Sequence, residues 1–555
     1  MSARPAFCSL HRPLLLALIL ILSTVSAEAA WKIARKTGGG REEILSVTKV
    51  DEAVREEGRV VRELPFALAE GQPPTGERFV EEIVSDAQFA RLKKARGGNR
   101  YEARIHTNLE WPGSEVRTLV EQGPTGNRIN LTIVGDGYTA EEKEKFFGDA
   151  RRMTNDLFEG DTFKSYLPLF NVYAVFVPSR ESGLTDRVRK DTALGLYRDP
   201  VGSKRAIMPG DTRAAERAIA LAPATDYPIL MANDDFYGGL GGRYAITTRS
   251  ETSGTVVLRH ELGHNFGNVG EEYDGGYVYQ GANFSRNRGS EWAHWAEGSM
   301  KVNDSELLFH AYPWHELSEG PFRQGFSVPN GDWTFGVILS SVGWETPGDV
   351  RVRLGEQTIE IDGKYHADRS FFLPRAPVML RPGDHELEIA EQIRDGDNVV
   401  ATVQGNAFPR DYDFRPNVIG AYATFDSWGS KVGHRPTHQS CLMREMQVTH
   451  FCAPDQENMW IRFLRKVKLI DDVTVTRSGQ AARIEAKTPP LEGLTLKWYS
   501  LDSRGRETEL TEQAGKRVWD APTGLQGRIR LRVQFETPEV RLRARELTSE
   551  KDVTI

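Results

Sequence analysis

His260-Glu261-Leu262-Gly263-His264, continuing as Asn265-Phe266-Gly267-Asn268-Val269-Gly270-Glu271-Glu272-Tyr273, is the stretch on which the reading of this chain turns. Two His at i and i+4 lie on one face of a helix and can grip one metal ion, and the Glu between them can act as general base toward a water held there. With 12 His in 555 residues, chance would place an HExxH in roughly a few per cent of such chains. The context argues against chance. Thr255-Val256-Val257-Leu258 precedes the motif, and Leu262 and Phe266 continue an apolar face around the His pair. That pattern predicts a buried helix, and buried imidazoles need partners.

A zinc site with one open position needs a third protein ligand. Gly267 stands three residues after His264, where it can take φ > 0, end the helix and turn the chain back toward the metal. Gly270 allows a second bend. In the metzincin pattern HExxHxxGxxH/D the third ligand falls on Gly270, which has no side chain. Glu271, one step later, is the first candidate and Glu272 the alternative. A ligand taken from a later helix would be Glu291, in Ser290-Glu291-Trp292-Ala293-His294.

His260 to Tyr273 resembles the metal-binding helix and turn of the IgA-peptidase (igalysin) family, with Val269 in place of a Leu and Glu271 in place of an Asp. Further elements resemble that family in order. Upstream they are Asn130 to Thr139 with its GDGYT turn, Phe170-Asn171-Val172-Tyr173 running on to Pro178-Ser179-Arg180-Glu181-Ser182-Gly183, and Asn233 to Gly242. Downstream they are Tyr422, Gly433-His434-Arg435-Pro436, Ser440-Cys441-Leu442-Met443-Arg444 and Phe451-Cys452. The likeness covers roughly residues 126–300 and 410–455. It implies a secreted zinc peptidase of metzincin-like fold, with Met443 as the Met-turn residue beneath one Zn²⁺. About 100 residues separate the two stretches, which suggests an inserted module. His434 stands where an aromatic residue such as Tyr is expected, so Tyr422 and His434 are both candidates for stabilising the transition state.

Composition bounds the rest. The 71 basic and 78 acidic residues leave a net charge of −7, so nucleic-acid binding has no support. Arg4, His11 and Arg12 precede Leu14 to Leu22, and Ala27-Glu28-Ala29 supplies an A-x-A cleavage site. Residues 1–29 therefore read as a signal peptide, and the protein as secreted or periplasmic, with no transmembrane segment after cleavage. Cys8 would leave with that segment. Cys441 and Cys452 remain and, in an oxidising compartment, are expected to form a disulfide next to Met443.

Along the chain, residues 30–125 read as a small N-terminal accessory domain. Arg59-Val60-Val61-Arg62 and Arg100 to Ile105 have strand patterns, and a helix opens at the Ser85/Gln88 capping-box spacing and runs to Arg96. Residues 126–302 are α/β: strands over Ile129–Val134, Asn171–Val177, Tyr227–Ala232 and Ala245–Thr248, a helix capped by Thr139 with Glu142, and another over Thr212–Leu221. The strand before the motif helix is the expected edge for pairing with an extended substrate, shaped by Tyr237 to Gly242. Residues 303–400 alternate at period two and read as an inserted β-sandwich. Residues 401–466 complete the catalytic domain, and 467–555 read as an Ig-like β-sandwich.

The fold class expected is thus an α/β (α+β) zincin or metzincin-like catalytic domain with accessory β-sandwiches. The function expected is a zinc endopeptidase acting on protein or peptide, with His260, His264 and Glu271 (alternative Glu272) as ligands and Glu261 as base. The sandwiches offer surfaces for glycan or cell-surface contact. Two rivals stay open: a non-catalytic surface-binding protein with a structural zinc, and a zinc aminopeptidase or amidase.

Overall fold

A computed structural model of the chain describes residues 30–50, 59–68, 76–95, 111–199, 205–277, 279–479, 481–522 and 526–555. The expected signal segment and the strand expected over Arg100–Ile105 lie outside them.

The fold is mixed α+β and rich in strands. Strands β1 (Ala30–Gly38), β2 (Arg41–Val50), β3 (Arg59–Pro65), β4 (Ala67–Leu68) and β5 (Arg78–Ser85) open the chain. Four of them form an antiparallel sheet in the order β2-β1-β5-β3. Helix α1 (Asp86–Ala95) follows. Its start is the predicted capping box: the Ser85 amide donates to Gln88 Oε1 (2.9 Å) and the Gln88 amide to Ser85 Oγ (3.2 Å). Two otherwise orphaned donors at the helix entrance are satisfied reciprocally.

The central unit is built on β6 (Glu115–Val120), β7 (Ile129–Asp136), helix α2 (Lys143–Glu159), β8 (Phe170–Phe176), the short pair β9 (Tyr197–Arg198) and β10 (Ile207–Met208), helix α3 (Thr212–Ile219), β11 (Tyr227–Ala232), β12 (Gly239–Gly242), β13 (Ala245–Thr248) and helix α4 (Gly254–Gly267). Its sheet runs β4-β12-β13-β11-β7-β8-β6. β13, β11, β7 and β8 are mutually parallel, whereas β12 and β6 run antiparallel to their neighbours. The parallel strands are buried along almost their whole length because both faces are covered.

The strand before α4, Ala245–Thr248, is not the sheet edge. Gly239-Leu240-Gly241-Gly242, expected as a turn, is itself a strand outside it, and Gly241 and Gly242 pair in turn with Leu68 and Ala67. The glycines let that strand lie against α4: a Cβ on Gly239 would stand 2.3 Å from Val257 Cγ1. A tight approach of backbone to helix is what a missing side chain permits.

Glu306–Pro409 form two packed sheets. One is centred on Trp333–Val342 and Val399–Pro409, the other on Gly383–Glu391, and Phe335, Trp344, Phe372, Leu387 and Ile389 lie between them. Helix α5 (Ala453–Lys466) returns to the central unit. Strands from Asp472 to Thr554 make two further sheets, and their core is continuous with the central one: Trp460 of α5 packs against Phe535 at a tilt, ring centroids 4.8 Å apart. Among the described residues no helix is long and apolar enough to cross a membrane.

Candidate metal centre

Helix α4 carries the motif at its C-terminal half, with His260, Glu261 and His264 all buried. Its entrance is held by a residue of the inserted sheets. Asp368 accepts from Ser250 Oγ (2.8 Å), Ser253 Oγ (2.5 Å) and the Tyr237 amide (2.8 Å). Its negative charge also complements the positive end of the helix dipole. At the exit, two side chains of α5 satisfy terminal carbonyls: Asn458 Nδ2 donates to Gly267 O (2.7 Å) and Arg462 Nε to Phe266 O (2.6 Å).

The turn after the helix differs from the sequence reading. Gly267 stays helical, and the left-handed residue is Asn268, at φ 50° and ψ 43°, whose amide donates to His264 O (2.8 Å). Asn tolerates this conformation better than other non-glycine residues. The helix therefore ends one residue later than expected. Gly270 is not among the positive-φ residues either.

The reversed chain brings Glu271 onto both imidazoles. Glu271 Oε2 lies 3.2 Å from His260 Nε2, and Glu271 Oε1 lies 3.1 Å from His264 Nε2. One nitrogen of each ring is spoken for elsewhere: His264 Nδ1 is 2.9 Å from Val269 O, and His260 Nδ1 is 3.4 Å from Leu442 O. A carbonyl on Nδ1 keeps the proton there and leaves the Nε2 lone pair facing the centre. Burial opposes charge on Glu271, but the facing His264 and His260 outweigh it and hold the carboxyl at about 2. For His264 burial disfavours the charged ring, yet Glu271 raises its pKa above the ordinary imidazole value. The three groups thus favour a positive charge between them. Their donor atoms lie within 4.8 Å of one another. Two imidazole nitrogens and a carboxylate oxygen suit a divalent cation with one position left open.

Met443 packs beneath the helix. A Cβ on Gly263 would stand 2.7 Å from Met443 Sδ and 2.7 Å from Phe451 Cε1, so glycine at the middle of the motif lets this floor approach. The Met443 carbonyl accepts from the Glu272 amide (3.1 Å), which ties this turn to the ligand loop.

The other sequence candidates are placed differently. Glu272 is fully buried but turned away from the two His, toward Cys441, Cys452 and Asp455. Glu291 is exposed, beside Asn287 and Ser290. Tyr422 is buried against Tyr412 and His438, its hydroxyl donating to Val418 O (3.4 Å), and burial raises its pKa to about 12. His434 is buried, 3.7 Å from Asp304, and burial lowers its pKa. The disulfide expected between Cys441 and Cys452 is not formed. Both are free thiols in a cluster with two carboxylates.

Asp274 was missed by the sequence reading. It is fully buried and holds Arg435 Nη1 (3.3 Å) and Arg444 Nη2 (3.1 Å). It joins the ligand loop to the hairpin at 421–435 and to the Met443 turn. The signal available was Arg444 directly after Met443: a guanidinium in so apolar a context needs a carboxylate.

Residues 118–297 match the profile of the IgA peptidase M64 family. The match covers nearly all of the first of the two stretches, roughly 126–300, that resemble this family. No curated protein sequence matches the chain. Among solved structures, a β-glucuronidase from Ruminococcus gnavus aligns at 9% identity over 42% of this chain and 34% of its own, with a TM-score of 0.12. A cycloisomaltooligosaccharide glucanotransferase from Paenibacillus sp. aligns at 10% identity over 51% of this chain and 44% of its own, with a TM-score of 0.13. The chain thus spans less than half the length of either, and scores this low carry no argument about fold or function.

Proposed function

We propose, since residues 118–297 match the IgA peptidase M64 profile, that this chain is an exported, zinc-dependent endopeptidase of metzincin-like design. The observation that carries the reading is the convergence of His260 Nε2, His264 Nε2 and both oxygens of Glu271 within one buried site. The donor chemistry fits Zn²⁺, whose ligands would be these three residues. When bound, Zn²⁺ supplies a Lewis acid that makes a water more acidic and polarises a carbonyl.

The chain's own groups do the rest. Glu261, one residue from His260 on the same buried helix, takes the proton from the attacking water on its carboxylate and returns it to the nitrogen of the leaving amine. Val269 O and Leu442 O hold the two rings in orientation. Met443 and Phe451 close the floor and exclude water beneath it. Export is inferred from the apolar run Leu14–Leu22 and Ala27-Glu28-Ala29.

Glu261→Gln tests the reading. It is expected to keep its metal and to lose hydrolysis of peptides blocked at both ends by about 10²–10⁴-fold. Undiminished hydrolysis by that variant would overturn the role of Glu261. Cleavage confined to free N-termini would overturn the endopeptidase assignment.

A further inference from the structure

Four buried ligating side chains converge at a second place, on the far side of the ligand loop. Glu272 comes from that loop, Cys441 from the turn that carries Met443, and Cys452 and Asp455 from the start of α5. Glu272, Cys441 and Asp455 are 0% exposed and Cys452 is 3% exposed. One ligand atom from each lies within 4.8 Å of the others.

The polar inventory of this cluster does not close. Cys441 Sγ lies 3.4 Å from Asp455 Oδ2, and Cys452 Sγ lies 3.8 Å from Glu272 Oε1. Asn283 Nδ2 donates to Glu272 Oε1 (3.2 Å) and the Cys452 amide to Cys441 Sγ (3.3 Å). Among the described residues no donor reaches Glu272 Oε2 or Asp455 Oδ1, although both are buried. Two carboxylates facing two sulfurs, with acceptor atoms left bare, is an arrangement that burial penalises unless the carboxyls take up protons, toward which burial pushes both, or a cation sits among them; only the cation also uses the two sulfurs as ligands. A disulfide would remove the thiols and still leave the two carboxylates face to face.

We infer that Glu272, Cys441, Cys452 and Asp455 form a second, structural metal site that takes a divalent ion of zinc's type. Tetrahedral geometry with metal–sulfur bonds of ~2.3 Å and metal–oxygen bonds of ~2.1 Å sets sulfur and oxygen ligands about 3.6 Å apart. The two sulfur–oxygen separations here, 3.4 and 3.8 Å, bracket that value. Two thiolates with two carboxylates suit a borderline-soft ion better than calcium or magnesium, which take oxygen ligands. Binding releases the thiol protons to solvent. The ion would clamp three segments around the catalytic centre: the loop presenting Glu271, the turn presenting Met443, and the helix whose Asn458 and Arg462 cap α4. Neighbouring glutamates would then serve two different metals, Glu271 the open site and Glu272 the closed one.

The test is metal content of the full mature chain, dialysed against Zn²⁺ and freed of unbound ion, with Co²⁺ substitution as a second readout. Two ions per chain are expected. One should remain in His260→Ala/His264→Ala and one in Cys441→Ser/Cys452→Ser. Only the second site has sulfur ligands, so Co²⁺ should give a sulfur-to-metal charge-transfer band that survives the His changes and vanishes with the Cys changes. If the Cys variant does not fold, the band and the stoichiometry of the unaltered chain decide the matter. A single ion without that band, or an intact mass two hydrogens below the dithiol value, would overturn the second site. Failure of the catalytic assignment would look different: a single ion with the band, unaffected by the His changes.

Discussion

Asp274→Asn is the perturbation with the clearest structural magnitude. Asp274 is buried at 0% exposure and collects five donors. Arg435 Nη1 (3.3 Å) and the Phe425 amide (3.3 Å) reach Oδ1, while Arg444 Nη2 (3.1 Å), Gln404 Nε2 (3.1 Å) and Asn406 Nδ2 (3.2 Å) reach Oδ2. One negative charge thus faces two guanidiniums that are themselves 2% and 1% exposed. Asn keeps the shape, removes the charge and turns an amide NH₂ toward donors. Breaking a buried ion pair by removing one partner costs about 3–5 kcal/mol. For a cooperative unit of roughly 250 residues, each kcal/mol moves the midpoint by about 2 °C, so the shift expected is about 6–10 °C. The assay is thermal unfolding of metal-loaded protein followed by circular dichroism. Arg180→Ala is the control, because Arg180 and Asp191 pair at 3.0 Å with side chains 86% and 60% exposed. An exposed pair of this kind contributes about 0–1 kcal/mol. A shift for Asp274→Asn no larger than that of Arg180→Ala would refute the view that this carboxylate ties the ligand loop to the Met443 turn.

Two further outcomes are expected. Glu271→Ala should lower metal affinity at the His260–His264 site by more than about a hundredfold, since even residues that only hydrogen-bond to metal ligands are worth about 10–100-fold; Glu291→Ala should leave it unchanged, and equal losses measured by competition with a chelator would exclude Glu271 as the third ligand. Glu142 has its pKa lowered to about 2: burial opposes its charge, but the Thr139 amide, Ser182, Asn233 and Lys145 outweigh it. A depressed folded-state pKa means stability that is present above about pH 4.5 and lost as pH falls toward 2, here on the order of 1 kcal/mol once solvent screening of this partly exposed group is allowed for. Glu142→Gln should flatten that part of the acid limb in urea unfolding between pH 5 and 2, and an unchanged slope would refute the assignment.

Local patterns were legible from the sequence wherever the physics is local. Both capping-box starts were readable, because a side chain three residues on reaches back to its own helix entrance: Gln88 to Ser85, and Glu142 Oε2 to the Thr139 amide at 3.0 Å. The helix bearing His260 and His264 was readable for the same reason, since i and i+4 share a face. Strand Gly239–Gly242 was not readable. Its glycines look like a turn until Val257 is seen to occupy the space a side chain would take. The inserted sheets were recognisable by their alternation, but not the docking of Asp368 on Ser250 and Ser253, which joins positions more than 100 residues apart.

The same division runs through the candidate centre. The sequence by itself determined that two imidazoles share one helix face, and that a short, glutamate-bearing turn follows. It left Glu271 and Glu272 as alternatives, because adjacent residues differ in direction and not in type. Tertiary structure decided between them. Asn268 in the left-handed region sets the phase of the turn, and the Glu272 amide bonded to Met443 O fixes it there. Glu271 then faces the His pair and Glu272 is driven to the other side, among Cys441, Cys452 and Asp455. Contacts between segments some 170 residues apart make that choice. They leave no period or spacing in the chain, because they are set by packing around a common core.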